Sequence, residues 1–199
     1  QSRIIHELCD SLGITVWEEI PWCRGGLGGE VFQEQGRRML TNMIEQHYNH
    51  PSVIIWGLGN ENDWPGDYTY FDKEAIRAYM TELHNLSHKL DPSRKTAIRR
   101  CDFCKDIVDV YSPSIWAGWY RGIYTEYKEV SREEFNKVKH FLHVEWGGDS
   151  HARRHSENPD NALSKVKRAG AADERAGGAP LFVGSARVSQ DGDWSKSYI

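Results

Sequence analysis

The sequence predicts an α/β fold in which parallel strands alternate with helices. Three observations carry that prediction. Short runs of strand character recur at 14–21, 53–61, 95–100, 107–114 and 140–146, and apolar residues at helical spacing fall between them. No hairpin signal joins consecutive runs, so crossovers connect them, and crossovers of this kind are right-handed. Val53-Ile54-Ile55-Trp56-Gly57-Leu58 is apolar on both faces, as a strand inside a parallel sheet must be, and it ends abruptly in Asn60 and Glu61.

The elements follow in order. Ile4, Ile5, Leu8 and Leu12 keep helical spacing and Gly13 closes that helix. "ITVWEEIP" (14–21) is a strand that finishes in two acids and a proline. "RGGLGG" after it lacks the G-x-x-x-x-G-K-[ST] order of a phosphate loop and reads as a flexible strand-to-helix connection. Residues 31–48 form an amphipathic helix with Met39, Leu40, Met43, Ile44, His47 and Tyr48 on one side, stopped before Pro51. Phe71, Ala75, Ile76, Tyr79, Met80, Leu83, Leu86 and Leu90 mark a long helix after a polar, aromatic loop. A helix over 131–139 leads into "HFLHVEW" (140–146). Residues 151–199 are polar, Gly-rich and weakly periodic, and read as a long loop region beside the folded part at 1–150.

Composition narrows the function. A net charge of −4 over 199 residues gives no electrostatic footprint for nucleic acid or an anionic membrane surface. No apolar run approaches the roughly 20 residues of a membrane span. Cys101-Asp-Phe-Cys104 is a lone C-x-x-C without the second pair that a zinc site wants, and unpaired thiols are the simpler reading. His151 and His155 sit four apart, a spacing that suits a metal pair on a helix but here lies in a polar loop. Aromatic residues are many, with Trp 8 and Tyr 9, and Trp17, Trp64, Trp116, Trp119, Tyr120 and Trp146 fall at or just past strand ends. At a sheet rim such rings stack on the flat apolar faces of sugars, although core packing is the common alternative.

Two strands end in glutamate, "GLGNE" at Glu61 and "FLHVE" at Glu145. In a parallel barrel of eight strands, strands three steps apart face one another across the mouth. Two facing carboxylates are the equipment of glycoside hydrolysis. Glu18 and Glu19, which end the first strand, are further candidates to bind hydroxyls.

These residues carry a resemblance. "NHPSVIIWGLGNE" resembles the fourth-strand signature of glycoside hydrolase family 2, the β-galactosidase, β-glucuronidase and β-mannosidase family. "VWEEIP" is similar to that family's third strand, "DVYSPSIWAGWYRG" to its sixth and "HFLHVEWGG" to its seventh. The resemblance implies a (β/α)8 TIM barrel of the glycoside hydrolase clan A type, with strands three to seven of eight in view. It implies Glu61 as acid/base, Asn60 as the contact to the sugar 2-hydroxyl and Glu145 as nucleophile. Trp116, Trp119, Trp146 and Glu18 complete the expected substrate contacts. The implied substrate is an oligosaccharide or simple β-glycoside, and the chemistry requires neither metal nor cofactor. "DGDWSKSYI" resembles the approach to the last strand of β-galactosidase-like members, so a β-galactoside is expected first. A β-glucuronide or β-mannoside is the alternative, as is a fragment that binds carbohydrate without cleaving it. One departure stands out: Ser114-Ile115-Trp116 replaces the Asn-x-Tyr of many members. The indole offers a donor and no acceptor in place of that tyrosine's hydroxyl.

Overall fold

Strands β1 (Val16–Glu19), β2 (Val53–Asn60), β3 (Lys95–Arg99) and β4 (Val110–Ser112) form one sheet in the order β1-β2-β3-β4. Every neighbouring pair is parallel. Helices α1 (Arg3–Leu12), α2 (Glu30–His47) and α3 (Lys73–Leu90) alternate with the first three strands, and α4 (Tyr127–Phe135) follows β4. The structure is a computed structural model that describes residues 3–24, 26–65, 70–118, 120 and 122–146, with the backbone of 185–188 and 194–197. The chain divides into two units, residues 1–113 with 138–144, and residues 114–137 with 145–199.

In the first unit, one sheet face is covered by helices. Leu40 and Ile44 of α2 and Ile76, Met80 and Leu83 of α3 pack with Val53, Trp56, Leu58 and Ile98 of the sheet in a single buried cluster. Polar contacts fix the register of that packing. Asp72 caps α3 by accepting from the N–H groups of Glu74 (2.9 Å) and Ala75 (3.1 Å), which hold its carboxyl below the usual range. At the far end, Asp91 accepts from the indole N–H of Trp56 (3.0 Å) and from Arg94 (2.7 Å). Arg94 in turn donates to the carbonyls of Val53, Tyr48 and His50, tying α2, β2 and β3 together at the amino end of the sheet.

Side chains alternate across a strand, so register partners share a face. Glu18, Trp56 and Thr96 are register neighbours on the helix-covered face. Glu19, Gly57 and Ala97 occupy the opposite face. A Cβ on Gly57 would come within 2.7 Å of the Glu19 Cβ and would strike the Trp17 indole. Glycine is what lets those two side chains lie across β2.

Three expectations change. The strand expected at 140–146 begins but does not extend: Phe141 bridges Tyr111 in parallel, and Leu142 N–H donates to Tyr111 O at 3.2 Å. Val144 N–H then goes to the Ser112 hydroxyl at 3.1 Å, so a side chain takes the place of the next ladder bond. The helix expected at 131–139 runs instead over Tyr127–Phe135, entered through a 3-10 turn at Tyr124–Glu126. Within the segment expected to be loop, β5 (Ser185–Val188) and β6 (Trp194–Ser197) pair antiparallel. The overlooked signal is Asp191-Gly192 between them, a dipeptide that favours hairpin turns.

The spacing of α1 is as expected, but its apolar stripe is not packed. Ile4, Ile5, Leu8 and Leu12 are exposed, and His6 is the helix's buried residue.

Candidate active site at the carboxyl end of the sheet

Strand β2 is buried along nearly its whole length and delivers Asn60 and Glu61 to the carboxyl end of the sheet. In α/β enzymes this rim is where chemistry is placed, because the strand-to-helix connections converge there. The segment after β1 runs beside it: Asn60 N–H donates to Trp22 O at 2.9 Å and Arg24 N–H to Asn60 O at 2.7 Å. The Asn60 amide reaches Cys23 Sγ at 3.1 Å. Asn62, fully buried, donates to Trp22 O at 3.2 Å and so fixes the turn that follows.

Glu61 is buried, and three guanidinium groups converge on it. Arg24 Nε lies 2.8 Å from Oε2, Arg99 Nη2 3.2 Å from Oε1 and Arg100 Nη1 3.0 Å from Oε1. Arg100 also pairs with Asp63 at 3.2 Å. The guanidinium carbons of Arg24 and Arg100 lie 5.5 and 5.2 Å from the ring centre of Trp64, within cation–π reach. Among the described residues, the non-glycine residues with positive φ are Arg24 (60°), Glu61 (54°) and Arg100 (48°), all members of this cluster. Left-handed backbone costs roughly 1–2 kcal/mol per residue, and such strain gathers at functional sites.

Burial pushes the Glu61 carboxyl up, but Arg99, Arg24 and Arg100 outweigh it, and the group sits below its ordinary range. Apolar surroundings would instead raise its proton affinity. The cations that do the opposite come from Arg24, in a stretch that reads as a Gly-rich connection, and from the doublet Arg99-Arg100 that ends β3. The available signal was basic residues at the same strand ends as Glu61.

Other candidates are distributed as follows. Asn60 and Glu61 belong to the first unit; Trp116, Glu145 and Trp146 belong to the second. Within that second unit Ile115 bridges Trp146 in parallel, which sets the backbone of Trp116 beside that of Glu145 and Trp146. Trp146 lies 6.1 Å from Tyr127 and Trp116 5.4 Å from Tyr120, ring centre to ring centre. Trp119, with His151 and His155, lies outside the described residues.

Glu18 is not with Glu61. It points into the helix layer, with His6 Nε2 at 3.1 Å and His47 Nδ1 at 2.9 Å from the same carboxylate oxygen. The expectation that Glu18 binds a sugar hydroxyl is therefore withdrawn, because strand alternation turns it to the face opposite Glu19. His6, Glu18 and His47 are close enough to be read as metal ligands. Their geometry argues otherwise: the two imidazoles stack at 4.1 Å with planes 20° apart. Near-parallel rings cannot both aim an in-plane lone pair at one ion. The cluster suits a buried carboxylate set against a stacked pair of imidazoles, with desolvation pushing His47 below its usual value against the pull of Glu18.

Comparison with known proteins identifies the family. A sequence model of the glycosyl hydrolases family 2 TIM barrel domain matches residues 1–168. The chain belongs to glycosyl hydrolase family 2, as part of its TIM barrel domain. It is 46% identical over its whole length to a Formosa agariphila protein named "Putative beta-glucuronidase", and spans 24% of that protein. It superposes on a crystal structure of Parabacteroides merdae β-glucuronidase with glycerol in its active site at a TM-score of 0.77. That match has 75% identity and covers 79% of this chain and 20% of the other. A β-galactosidase of Thermoanaerobacterium thermosulfurigenes is 25% identical over 84% of this chain and 22% of its own length. The chain thus spans about a quarter of the length of the curated relatives it matches.

Proposed function

We propose that these residues belong to the catalytic barrel of a retaining β-glycosidase that hydrolyses β-glucuronides. The observation that carries this reading is Glu61 at the carboxyl end of the buried strand β2, within the family's acid/base motif. The expectation of a β-galactoside, which rested on the last segment alone, gives way to a glucuronide. The support is that the relatives of higher identity bear glucuronidase names.

Glu145, as a carboxylate, attacks the anomeric carbon while Glu61 gives its proton to the departing glycosidic oxygen. That forms a glucuronyl ester on Glu145 and releases the aglycone. A water molecule then gives a proton to Glu61 and attacks the ester, which returns Glu145 and leaves the sugar with its original configuration. The two carboxyl groups of such a pair stand about 5–5.5 Å apart. Asn60 holds the 2-hydroxyl, a bond that strengthens as positive charge grows on the ring. Trp116, Trp119 and Trp146 are assigned to stacking against substrate.

The test is a comparison of 4-nitrophenyl β-D-glucuronide, β-D-galactoside and β-D-mannoside on the full-length protein. The glucuronide should be hydrolysed at least about a hundredfold faster than the others. A preference for the galactoside or mannoside would refute the substrate assignment, and Glu145→Gln activity within tenfold of the parent would refute the nucleophile.

A further inference from the structure

A second set of ionisable groups meets at the amino end of the sheet, away from Glu61. The last two turns of α3 present His84 and His88, four positions apart and therefore on one helix face. Asp109, directly before β4, faces them, with its Oδ2 2.8 Å from His88 Nε2. The same oxygen accepts from the Thr96 N–H at 2.8 Å and from the Thr96 hydroxyl at 3.1 Å. Thr96 Oγ1 in turn stands 2.8 Å from His84 Nδ1, so one residue at the start of β3 links the carboxylate to the second imidazole. All of these residues belong to the first unit.

The geometry differs from that of His6, Glu18 and His47. The rings of His84 and His88 lie 4.7 Å apart with planes at 74°, so the planes cross close by and one ion can lie in both. One ligand atom from each of His84, His88 and Asp109 lies within 4.8 Å of the others. Tetrahedral zinc holds nitrogen and oxygen donors about 3.3 Å apart, so the contact of His88 with Asp109 need widen by only about half an ångström. The side chains of His88 and Asp109 are 30% and 20% exposed, which lets an ion arrive from solvent without the fold opening.

The charge states suit a cation. Burial and the neighbouring His88 hold the His84 imidazole below its ordinary value against the pull of Asp109, which keeps it a neutral ligand. Burial pushes the Asp109 carboxyl up, but the Thr96 N–H and His88 outweigh it and hold the group below its ordinary range. Lys95 Nζ, 3.8 Å from Asp109 Oδ1 on an exposed side chain, is a competing cation, and His140 Nδ1 lies 3.0 Å from the Asp109 carbonyl.

We propose that His84, His88 and Asp109 bind a zinc ion, with water in the remaining position, and that the ion fastens α3 to the β3–β4 edge. Two imidazoles and one carboxylate suit zinc, whereas calcium and magnesium prefer shells of oxygen. The ion takes the place of the proton between His88 Nε2 and Asp109 Oδ2. A neutral His88 ring moves that proton to Nδ1, and a charged one releases it to solvent. Thr96, bonded to both His84 and Asp109, orients these ligands from outside. In a parallel barrel the amino end of the sheet serves stability rather than chemistry, so the ion's role is to hold the fold.

The experiment uses the full-length protein, stripped with a chelator and dialysed, with zinc chloride as the probe. In calorimetric titration the parent should take up a zinc ion that His84→Gln and His88→Gln each bind at least about tenfold more weakly, since even the outer partners of metal ligands are worth that much. Uptake by the parent should weaken on acidification, because imidazole must shed its proton to ligate. An excess of calcium should not displace the ion. Zinc should raise the guanidinium midpoint of the barrel transition in the parent and leave it in place in both variants. X-ray absorption at the zinc edge should show two imidazoles among nitrogen and oxygen neighbours. Absence of zinc uptake by the parent overturns the proposal without recourse to any variant, as do sulfur neighbours around the ion. Equal uptake by the parent and both variants places the ion elsewhere and overturns it as well.

Discussion

Replacing Asp91 with alanine tests the skeleton that carries Glu61. Asp91 is fully buried and accepts from Trp56 Nε1 at 3.0 Å, Ser93 N at 2.9 Å and Arg94 Nη1 at 2.7 Å. Burial alone would raise its carboxyl, but bonds from Ser93, Arg94 and Trp56 bring it from 3.8 down to about 2. A depression of that size corresponds to about 2–3 kcal/mol of folded-state preference for the charged form. The alanine variant loses that interaction and also strands a buried indole N–H and a largely buried guanidinium. The total cost is about 3–5 kcal/mol, as for a buried pair broken from one side. Because the folded-state pKa is depressed, the contribution is present above about pH 4 and is lost as pH falls toward 2. Guanidinium unfolding of the full-length protein, followed by tryptophan fluorescence, should show the barrel transition at markedly lower denaturant in Asp91→Ala. In Asp91→Asn the same transition should lose part of its sensitivity to acid. A stability for Asp91→Ala within about 0.5 kcal/mol of the parent would contradict this role for Asp91, since changes that small belong to surface positions.

Further outcomes follow from the same contacts. Gly57→Ala forces a Cβ to within 2.7 Å of Glu19 and should destabilise the β1–β2 pair by about 1–3 kcal/mol, measured in the same unfolding assay. Cys101 and Cys104 are fully buried, and Cys101 is pushed far up by its contact with Cys104 and by burial. A thiol reagent should therefore leave both untouched until the protein unfolds. Cys23 is exposed and its sulfur accepts from Asn60, so its modification should depress hydrolysis while the unfolding midpoint holds. Glu61→Gln should lower kcat/KM by about 100-fold or more for substrates with poor leaving groups and spare kcat/KM for those with good ones, because only the former need a proton in the first step.

The parallel sheet was legible because β2 is apolar on both faces and its helices keep clean spacing, so burial and local preference point the same way. The position of Asn60 and Glu61 at the carboxyl end of β2 was legible because a polar pair directly follows the apolar run. Glu18 was misread for a definite cause. In "WEE" either glutamate can face the helices, and a one-residue difference in phase exchanges the two faces. Only the burial of His6 and His47 around it decides the matter, and those contacts join α1, β1 and α2. The arginines were passed over because their role depends on convergence: Arg24 stands 75 positions from Arg99, and nothing local links them. The apolar stripe of α1 shows the reverse limit, since spacing reveals a face but not its cover.

On the proposed function, Glu61 and Glu145 act on one anomeric centre by double displacement. This is tested most directly by inactivating the full-length enzyme with an activated 2-deoxy-2-fluoro-β-glucuronide and locating the attached sugar by peptide mass spectrometry. The expected product carries one fluoroglucuronyl group, on the peptide that contains Glu145. A label on any other residue, or turnover of this substrate with inversion and no label, would contradict that mechanism.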